Sequence, residues 1–320
     1  MKAIVVSEFG EPDVMKIADI PIPEPGADQI CLKVDSAGVN PVECYVRSGI
    51  YPVLPKLPYT PGIDAAGTIA AVGSGVKGWA VGDRVYVTRS ISGTYAEYTI
   101  CHQSMVYTLP ENITFCQGAA IGVPGSAAWR SLFYRGQAQP GERLLVHGAS
   151  GSVGLFAIQL ARLAGMEVFG TAGSPAGISL ISKNGATRVF NHREEGYQKA
   201  LMAATDGKGF NLILENLANV NLEKDLEMLS PCGRVIIVGN RGRIEIDPRL
   251  TMGKETDIRG MSLFNTTPEE FVRMHAALKG AFEFGGVTPV VSRVLPLEEA
   301  VDAHQMVLKD GNLGKIVLKP

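Results

Sequence analysis

Two hydrophobic rhythms divide the chain. Over residues 1 to about 110, apolar residues come in short runs or alternate with polar ones, and Gly or Pro ends each run. Segments 3–6, 15–17, 30–34, 68–72 and 84–87 predict strands. The stretch Pro21-Ile22-Pro23-Glu24-Pro25-Gly26 predicts a stiff loop, and 73–75 and 82–83 predict turns. Such a pattern suggests a compact, partly open β-barrel-like domain. From residue 122 to about 262 the rhythm changes. Strand patterns at 144–147, 168–171, 188–190, 212–215, 235–238 and 258–263 alternate with amphipathic helical patterns at 152–164, 175–184, 195–205 and 220–229. That alternation predicts an α/β fold with a doubly wound parallel sheet, whose carboxyl-terminal strand ends line a cofactor crevice.

The stretch Leu144-Leu145-Val146-His147-Gly148-Ala149-Ser150-Gly151-Ser152-Val153-Gly154 links the first of those strands to the first helix. Strand, small-residue turn and helix together are the setting of a dinucleotide-binding fingerprint. Ala149 takes the place of the first glycine. Gly151 lets the backbone approach a diphosphate, Gly154 lets the helix pack against the strand, and the helix start offers N–H groups and a positive dipole end. No Gly-Lys-Ser/Thr follows, which excludes a Walker A loop. After the second strand the chain reads Gly170-Thr171-Ala172-Gly173-Ser174-Pro175, without the acid that bonds a ribose 2′-hydroxyl. A carboxylate that would repel a 2′-phosphate is missing, so NADPH is favoured over NADH. His192, Arg193, Asn240 and Arg241 supply candidate cationic or hydrogen-bonding groups nearby.

Composition narrows the field. Charged residues make up 19% of the 320 and apolar ones 46%, a globular balance with room for two cores. A formal net charge of −2 gives no electrostatic footprint for nucleic acid or an anionic membrane. No apolar run reaches transmembrane length, and the amino terminus turns acidic too early for a signal peptide. Five scattered cysteines predict reduced thiols in a cytoplasmic protein, each a small buried hydrophobe. In the first domain, Gly38-Val39-Asn40-Pro41-Val42-Glu43-Cys44-Tyr45 carries an amide and a phenol that read either as catalytic groups or as a loop cap and a core tyrosine. Asp64 reads as a turn holder or an arginine partner, and 93–98 as a strand edge with aromatic packing.

Nearly the whole chain resembles the zinc-independent medium-chain dehydrogenase/reductases, specifically the zeta-crystallin-type NADPH:quinone oxidoreductases. The resemblance lies in 146–154, 170–173, Val189-Phe190-Asn191-His192-Arg193-Glu194, Leu217-Ala218-Asn219-Val220-Asn221-Leu222 and 233–242, and in Asn40-Pro41-Val42-Glu43, Arg47-Ser48-Gly49 and 58–62. It implies a GroES-like β-rich catalytic domain, 1–121 completed by 263–320, with a Rossmann NADPH-binding domain, 122–262, inserted in it. A helix near 269–280, an apolar run at 290–294 and a last strand at 315–318 fit that return. By the resemblance, Tyr45, Ser150, Gly151, Ser152, Val153, Gly173, His192, Asn221, Val238, Gly239, Asn240 and Arg241 contact the cofactor. Asn40 and Tyr45 stand beside the nicotinamide and the quinone, and the protein is a homodimer or homotetramer joined through the edge of the cofactor sheet.

Three departures from the family pattern stand out: Ser152 in place of a frequent glycine, Gly125-Ser126-Ala127 where relatives carry two bulky aromatics and a threonine, and Ile178 near a position where bacterial relatives often have lysine. Zinc enzymes of this fold carry a cysteine near Asn40 and a His-Glu pair where this chain has Ile63-Asp64, so no metal is expected. Without a Lewis acid an alcohol does not readily give up proton and hydride, whereas a quinone readily accepts them. The expected activity is reduction of a small quinone by NADPH. The alternatives are reduction of the activated C=C bond of an alkenal or enone, and an NADPH-binding structural or RNA-binding role known among zeta-crystallins.

Overall fold

A computed structural model describes all 320 residues, Met1–Pro320. The chain forms two compact units: Met1–Val123 with His275–Pro320, and Pro124–Met274. Both divisions fall later in the chain than the 121/122 and 262/263 boundaries read from the sequence.

The first unit is built on a sheet whose strands lie in the order Val291–Pro296, Lys315–Lys319, Gln29–Gly38, Asp64–Val72, Arg84–Val87 and Val106–Thr108, with Tyr98–His102 also paired to Gln29–Gly38. A separate hairpin pairs Lys2–Val6 with Met15–Asp19. The long strand Gln29–Gly38 is the spine. Its inward residues Ile30, Leu32, Val34 and Ala37 join Ile4, Val6, Ile69, Val85, Ile316 and Leu318 in one core. The strand expected at 68–72 begins earlier, at Asp64, because small residues let it run close to its neighbour. A Cβ on Gly67 would stand 2.0 Å from the Lys33 carbonyl oxygen, at a register shift in the ladder. The strand edge expected at 93–98 is mostly loop, touching the hairpin through a single Ala3–Ala96 bridge. Three cysteines are buried as expected; Cys116 is half-buried and Cys232 is exposed.

The second unit holds the expected doubly wound sheet. Its six strands lie in the order Arg188–Asn191, Glu167–Ala172, Arg143–Val146, Phe210–Glu215, Leu229–Ile237 and Asp257–Gly260, all parallel. In chain order that is 3-2-1-4-5-6, with the switch point between Arg143–Val146 and Phe210–Glu215. Central strands covered on both faces need continuous apolar runs, and Leu144, Leu145, Val146, Leu212, Ile213 and Leu214 are all fully buried. The edge strands Arg188–Asn191 and Asp257–Gly260 are correspondingly more exposed and polar. Helix Ser152–Leu163 lies over the first strand, and residues 154–161 are buried without a break.

Phe169 and Phe210 meet edge to face in this core, ring centroids 5.1 Å apart, and both are fully buried. Replacing Phe210 with Ala should therefore cost about 3–5 kcal/mol of folding stability, read from urea unfolding. A cost near zero would mean that the core repacks around the gap.

Candidate functional site

The carboxyl-terminal rim of the parallel sheet gathers the residues singled out for the cofactor. Strand Arg143–Val146 ends at His147, and the chain turns through Gly148, whose φ of +58° favours glycine. Gly151 precedes the helix in extended geometry, so the N–H groups of the first helical turn, from Ser152, have no acceptor within the helix. Gly154 is forced by packing: an added Cβ would lie 2.6 Å from both Cα and O of Ala149. Gly151 is not, since a Cβ there would meet only the Gly148 carbonyl oxygen, at 3.5 Å. Its bare face is the kind of open cradle in which a diphosphate approaches backbone. Ser150 is buried, and Ser152 and Val153 are half-buried.

Two neighbouring strand ends add polar groups. Past Glu167–Ala172, a Cβ on Gly173 would stand 2.7 Å from His192 Nε2 and 2.9 Å from Arg193 Nε. An imidazole and a guanidinium thus converge on Gly173, and both of those residues are exposed. Ser174 caps helix Pro175–Lys183 by accepting the Gly177 N–H at 3.1 Å, and no carboxylate follows the strand. On the other side of the switch point, Val238 and Gly239 donate N–H to the Glu215 carbonyl at 2.8 and 3.3 Å. Arg241 N–H bonds Asn219 Oδ1 at 2.9 Å, and Asn240 Nδ2 bonds the Gly242 carbonyl at 2.7 Å. Asn221 Nδ2 donates to Glu215 Oε1 at 3.3 Å. Ser150, Gly151, Ser152, Val153, Gly173, His192, Asn221, Val238, Gly239, Asn240 and Arg241 therefore all follow strand ends of one sheet or lie in the helices that start there.

Asn40 and Tyr45 belong to the first unit, Tyr45 on the short helix Pro41–Arg47 and Asn40 capping its start. Tyr45 is half-buried. Asn40 is 3% exposed, and its amide is heavily engaged. Its Nδ2 donates to Glu43 Oε1 at 3.0 Å and Asp64 Oδ2 at 3.1 Å, and its Oδ1 accepts from the Lys315 ammonium. The backbone N–H of Asn40 donates to Glu43 Oε2 at 2.8 Å. Asp64 is paired not with an arginine but with Lys315, 3.5 Å away, and it also accepts from the Val123 N–H and the Thr88 hydroxyl.

A second chain of contacts continues from Glu43. Its Oε2 accepts the Tyr95 hydroxyl at 2.6 Å; that hydroxyl lies 3.2 Å from His304 Nε2, and Arg47 Nε donates to His304 Nδ1 at 3.3 Å. Two cations, Lys315 and Arg47, thus balance two carboxylates, Glu43 and Asp64, with all four groups buried. Burial raises the Glu43 carboxyl above its ordinary value, against the attraction of Lys315 and hydrogen bonds from Tyr95 and Asn40. Burial, aided by Arg47, lowers the His304 imidazole to about 3, which keeps it neutral. Sequence reasoning missed Lys315 as a partner, because nothing local marks a lysine at the start of an apolar strand. Glu43 stood three residues after Asn40, the spacing at which a first-turn acid reaches back to a helix start.

The comparisons with known proteins agree with this geometry. A family model described as alcohol dehydrogenase GroES-like domain matches residues 26–111, and one described as zinc-binding dehydrogenase matches residues 152–280. A quinone oxidoreductase of Rattus norvegicus is 49% identical over 320 residues, covering 99% of this chain and 97% of the relative. The crystal structure of Escherichia coli quinone oxidoreductase complexed with NADPH is 29% identical, covers 100% of both chains and superposes with a TM-score of 0.90. The crystal structure of an NAD-dependent alcohol dehydrogenase, 28% identical with 100% coverage of both chains, superposes with a TM-score of 0.93. The donors around Asn40 do not fit the zinc named by one family description. They are two carboxylates and an amide, without thiolate or imidazole, and an ammonium already stands between Asn40 and Asp64.

Removing Lys315 alone should leave buried carboxylates without a counter-charge. Lys315→Met is expected to cost about 3–5 kcal/mol near pH 8. Because the Glu43 carboxyl is raised in the folded protein, its protonation favours the folded state. The deficit should therefore grow as pH rises and shrink on acidification toward pH 5. Urea unfolding at the two pH values checks this; an equal deficit at both would count against the charge balance.

Proposed function

The chain belongs to the quinone oxidoreductase family of medium-chain dehydrogenase/reductases, and on that premise we propose that it reduces small quinones with NADPH and without a metal ion. The observation that carries the reading is the sheet rim, where an open Gly151, a required Gly154 and an acid-free second strand end coincide. Bound NADPH supplies the reducing equivalents.

The chain's own residues bind, orient and select. N–H groups at the start of helix Ser152–Leu163, with its positive dipole end, hold the diphosphate across Ser150, Gly151, Ser152 and Val153. His192 and Arg193 beside Gly173 hold the 2′-phosphate, which an acid there would repel. Asn221 and the stretch Val238-Gly239-Asn240-Arg241 hold the nicotinamide half. Tyr45 presents its phenol to nicotinamide and acceptor, and Asn40, with its amide spent on Lys315, Asp64 and Glu43, acts as a positioning residue for the helix that carries Tyr45. The acceptor's oxygens take protons from water or from the Tyr45 hydroxyl. What remains for the protein is positioning, which by itself supplies a large rate factor. A second copy of the chain is the expected partner, docking on the exposed edge strand Asp257–Gly260, whose unpaired backbone groups need a cover. No helix is long and apolar enough to cross a membrane, and the scattered, unpaired cysteines support a cytoplasmic setting. The charge balance lends nothing to RNA binding.

NADPH should be oxidised by ortho- or para-quinones faster than by enones or alkenals in a steady-state screen; faster enone turnover would move the activity to C=C reduction. Arg193→Ala should weaken NADPH binding about tenfold, the scale of one charge-assisted hydrogen bond, and leave NADH binding unchanged. Equal losses for both cofactors would place the 2′-phosphate elsewhere. Tyr45→Phe should lower kcat/KM for the quinone by about tenfold with the NADPH Kd preserved, if its hydroxyl bonds the acceptor.

A further inference from the structure

Directly behind the rim, at the switch point of the parallel sheet, three ionisable side chains are buried together. His147 follows the first strand, Glu215 ends the fourth, and Asp225 projects from helix Ala218–Met228. They are 3%, 0% and 0% exposed, and one ligand atom from each lies within 4.8 Å of the others. His147 Nε2 is 3.0 Å from Asp225 Oδ1, and His147 Nδ1 is 3.2 Å from the Thr171 hydroxyl. Glu215 Oε1 accepts the Leu217 N–H and the Asn221 amide, whereas Asp225 Oδ1 meets only His147, and Glu215 Oε2 and Asp225 Oδ2 have no hydrogen-bond partner.

Unlike the cluster around Asn40, this one does not balance. With His147 neutral it would bury two anions and no cation, at high cost. With His147 charged and one acid protonated, the charges sum to zero. Lys224 and Tyr197 are the other titratable groups that act on it, and neither closes the deficit. Lys224 acts on His147 only through space, and Tyr197 is itself raised by burial and by Asp225 and Glu215. His147 and Glu215 shift in the direction this arithmetic requires. Asp225 and Glu215 lift the His147 imidazole above its ordinary value against the effect of burial, and burial lifts the Glu215 carboxyl to about 7 with Asp225 adding to it.

The cluster is tied to the cofactor rim by its own bonds. The Asn216 amide donates to the His147 carbonyl at 2.7 Å, just before the 148–154 turn. The Glu215 side chain holds Asn221, and the backbone carbonyl of Glu215 holds the N–H groups of Val238 and Gly239. We propose that His147, Glu215 and Asp225 form a buried proton-binding site that positions the cofactor rim, so that NADPH binds most tightly while the site holds its extra proton and more weakly once it is lost. This rests on the placement of NADPH at the rim. Loss of the proton leaves a net negative charge in a dry site behind the place of the diphosphate, where screening is weak. By reciprocity, NADPH binding draws a proton into the cluster.

The test is the NADPH Kd of the purified enzyme, followed by calorimetry from pH 6.5 to pH 9. The wild type should weaken about tenfold across that range, equivalent to one unit of coupled proton affinity. Glu215→Gln removes the titrating carboxyl and should flatten the profile. The nucleotide's own phosphates titrate equally in both, so they do not affect the difference. Should Glu215→Gln not fold, Asp225→Asn serves instead. It removes the anion that raises both neighbours, so the affinity loss should move to lower pH. Tight binding with parallel profiles in wild type and variant overturns the proposal and leaves the functional reading standing. No binding at any pH overturns both. A stoichiometric divalent cation retained by the purified protein would also overturn it, by putting a metal where the proton is placed.

Discussion

Gly154 lies so close to Ala149 that a single added carbon would fall 2.6 Å from that residue's backbone. This contact sets how helix Ser152–Leu163 leaves the strand Arg143–Val146, and much of the second unit follows from it. A helix pressed this close aims its first N–H groups past the end of the strand, at the point where the sheet order reverses. Gly170, one strand over, meets the same packing from the other side: a Cβ there would stand 3.2 Å from Ala149 Cβ. The backbone of Ala149 thus faces Gly154 while its methyl group faces Gly170, and both neighbours are glycines.

The first unit depends on a different economy. It buries four charged side chains, two on strands and two on helix Pro41–Arg47, and it can do so because the cations and anions match in number. Burying one such group without its partners would cost several kcal/mol. The same arrangement bears on chemistry. An ammonium held between an amide and a carboxylate makes this locus a fixed, self-neutral support, with no ligand set open to a Lewis acid. An acceptor that takes reducing equivalents without carbonyl polarisation by a metal suits such a support, and a quinone is one.

How far the sequence revealed these features depended on their range. The parallel sheet was legible because each buried strand is a continuous apolar run closed by a turn, and the helices between carry their own period; Arg143–Val146 and Ser152–Leu163 lie almost where the pattern placed them. The rim residues were legible through the turn chemistry of Gly148–Gly154 and through family likeness. Other features depend on distant contacts. Strand Leu229–Ile237 starts six residues before the 235–238 run, because it passes through Pro231 and through Cys232 at φ +55° in a stretch with no strand signature. Tyr95, read as part of a strand edge, instead turns its ring to His304, more than two hundred residues away. Lys315 finds its partners in Asn40 and Asp64 at similar separations. Pairings of that kind leave no trace in local spacing.

The two buried polar clusters differ in a way that separates support from response. Around Asn40 two cations face two carboxylates, so the charges cancel without an extra proton. Around His147 they cannot cancel with every group in its ordinary state. A cluster of that sort stays dry only by binding a proton more tightly than its members would in water. Evolution could have removed the imbalance by making Glu215 a glutamine, which could still accept from Leu217 while presenting an amide to its neighbours. Keeping a carboxylate at the strand end, with its oxygen on Asn221, retains a group whose charge depends on pH in contact with a residue proposed to hold the nicotinamide half. The position of Glu215 is thus hard to explain as packing alone, and it is accounted for if the rim is meant to bind an anionic cofactor and a proton together.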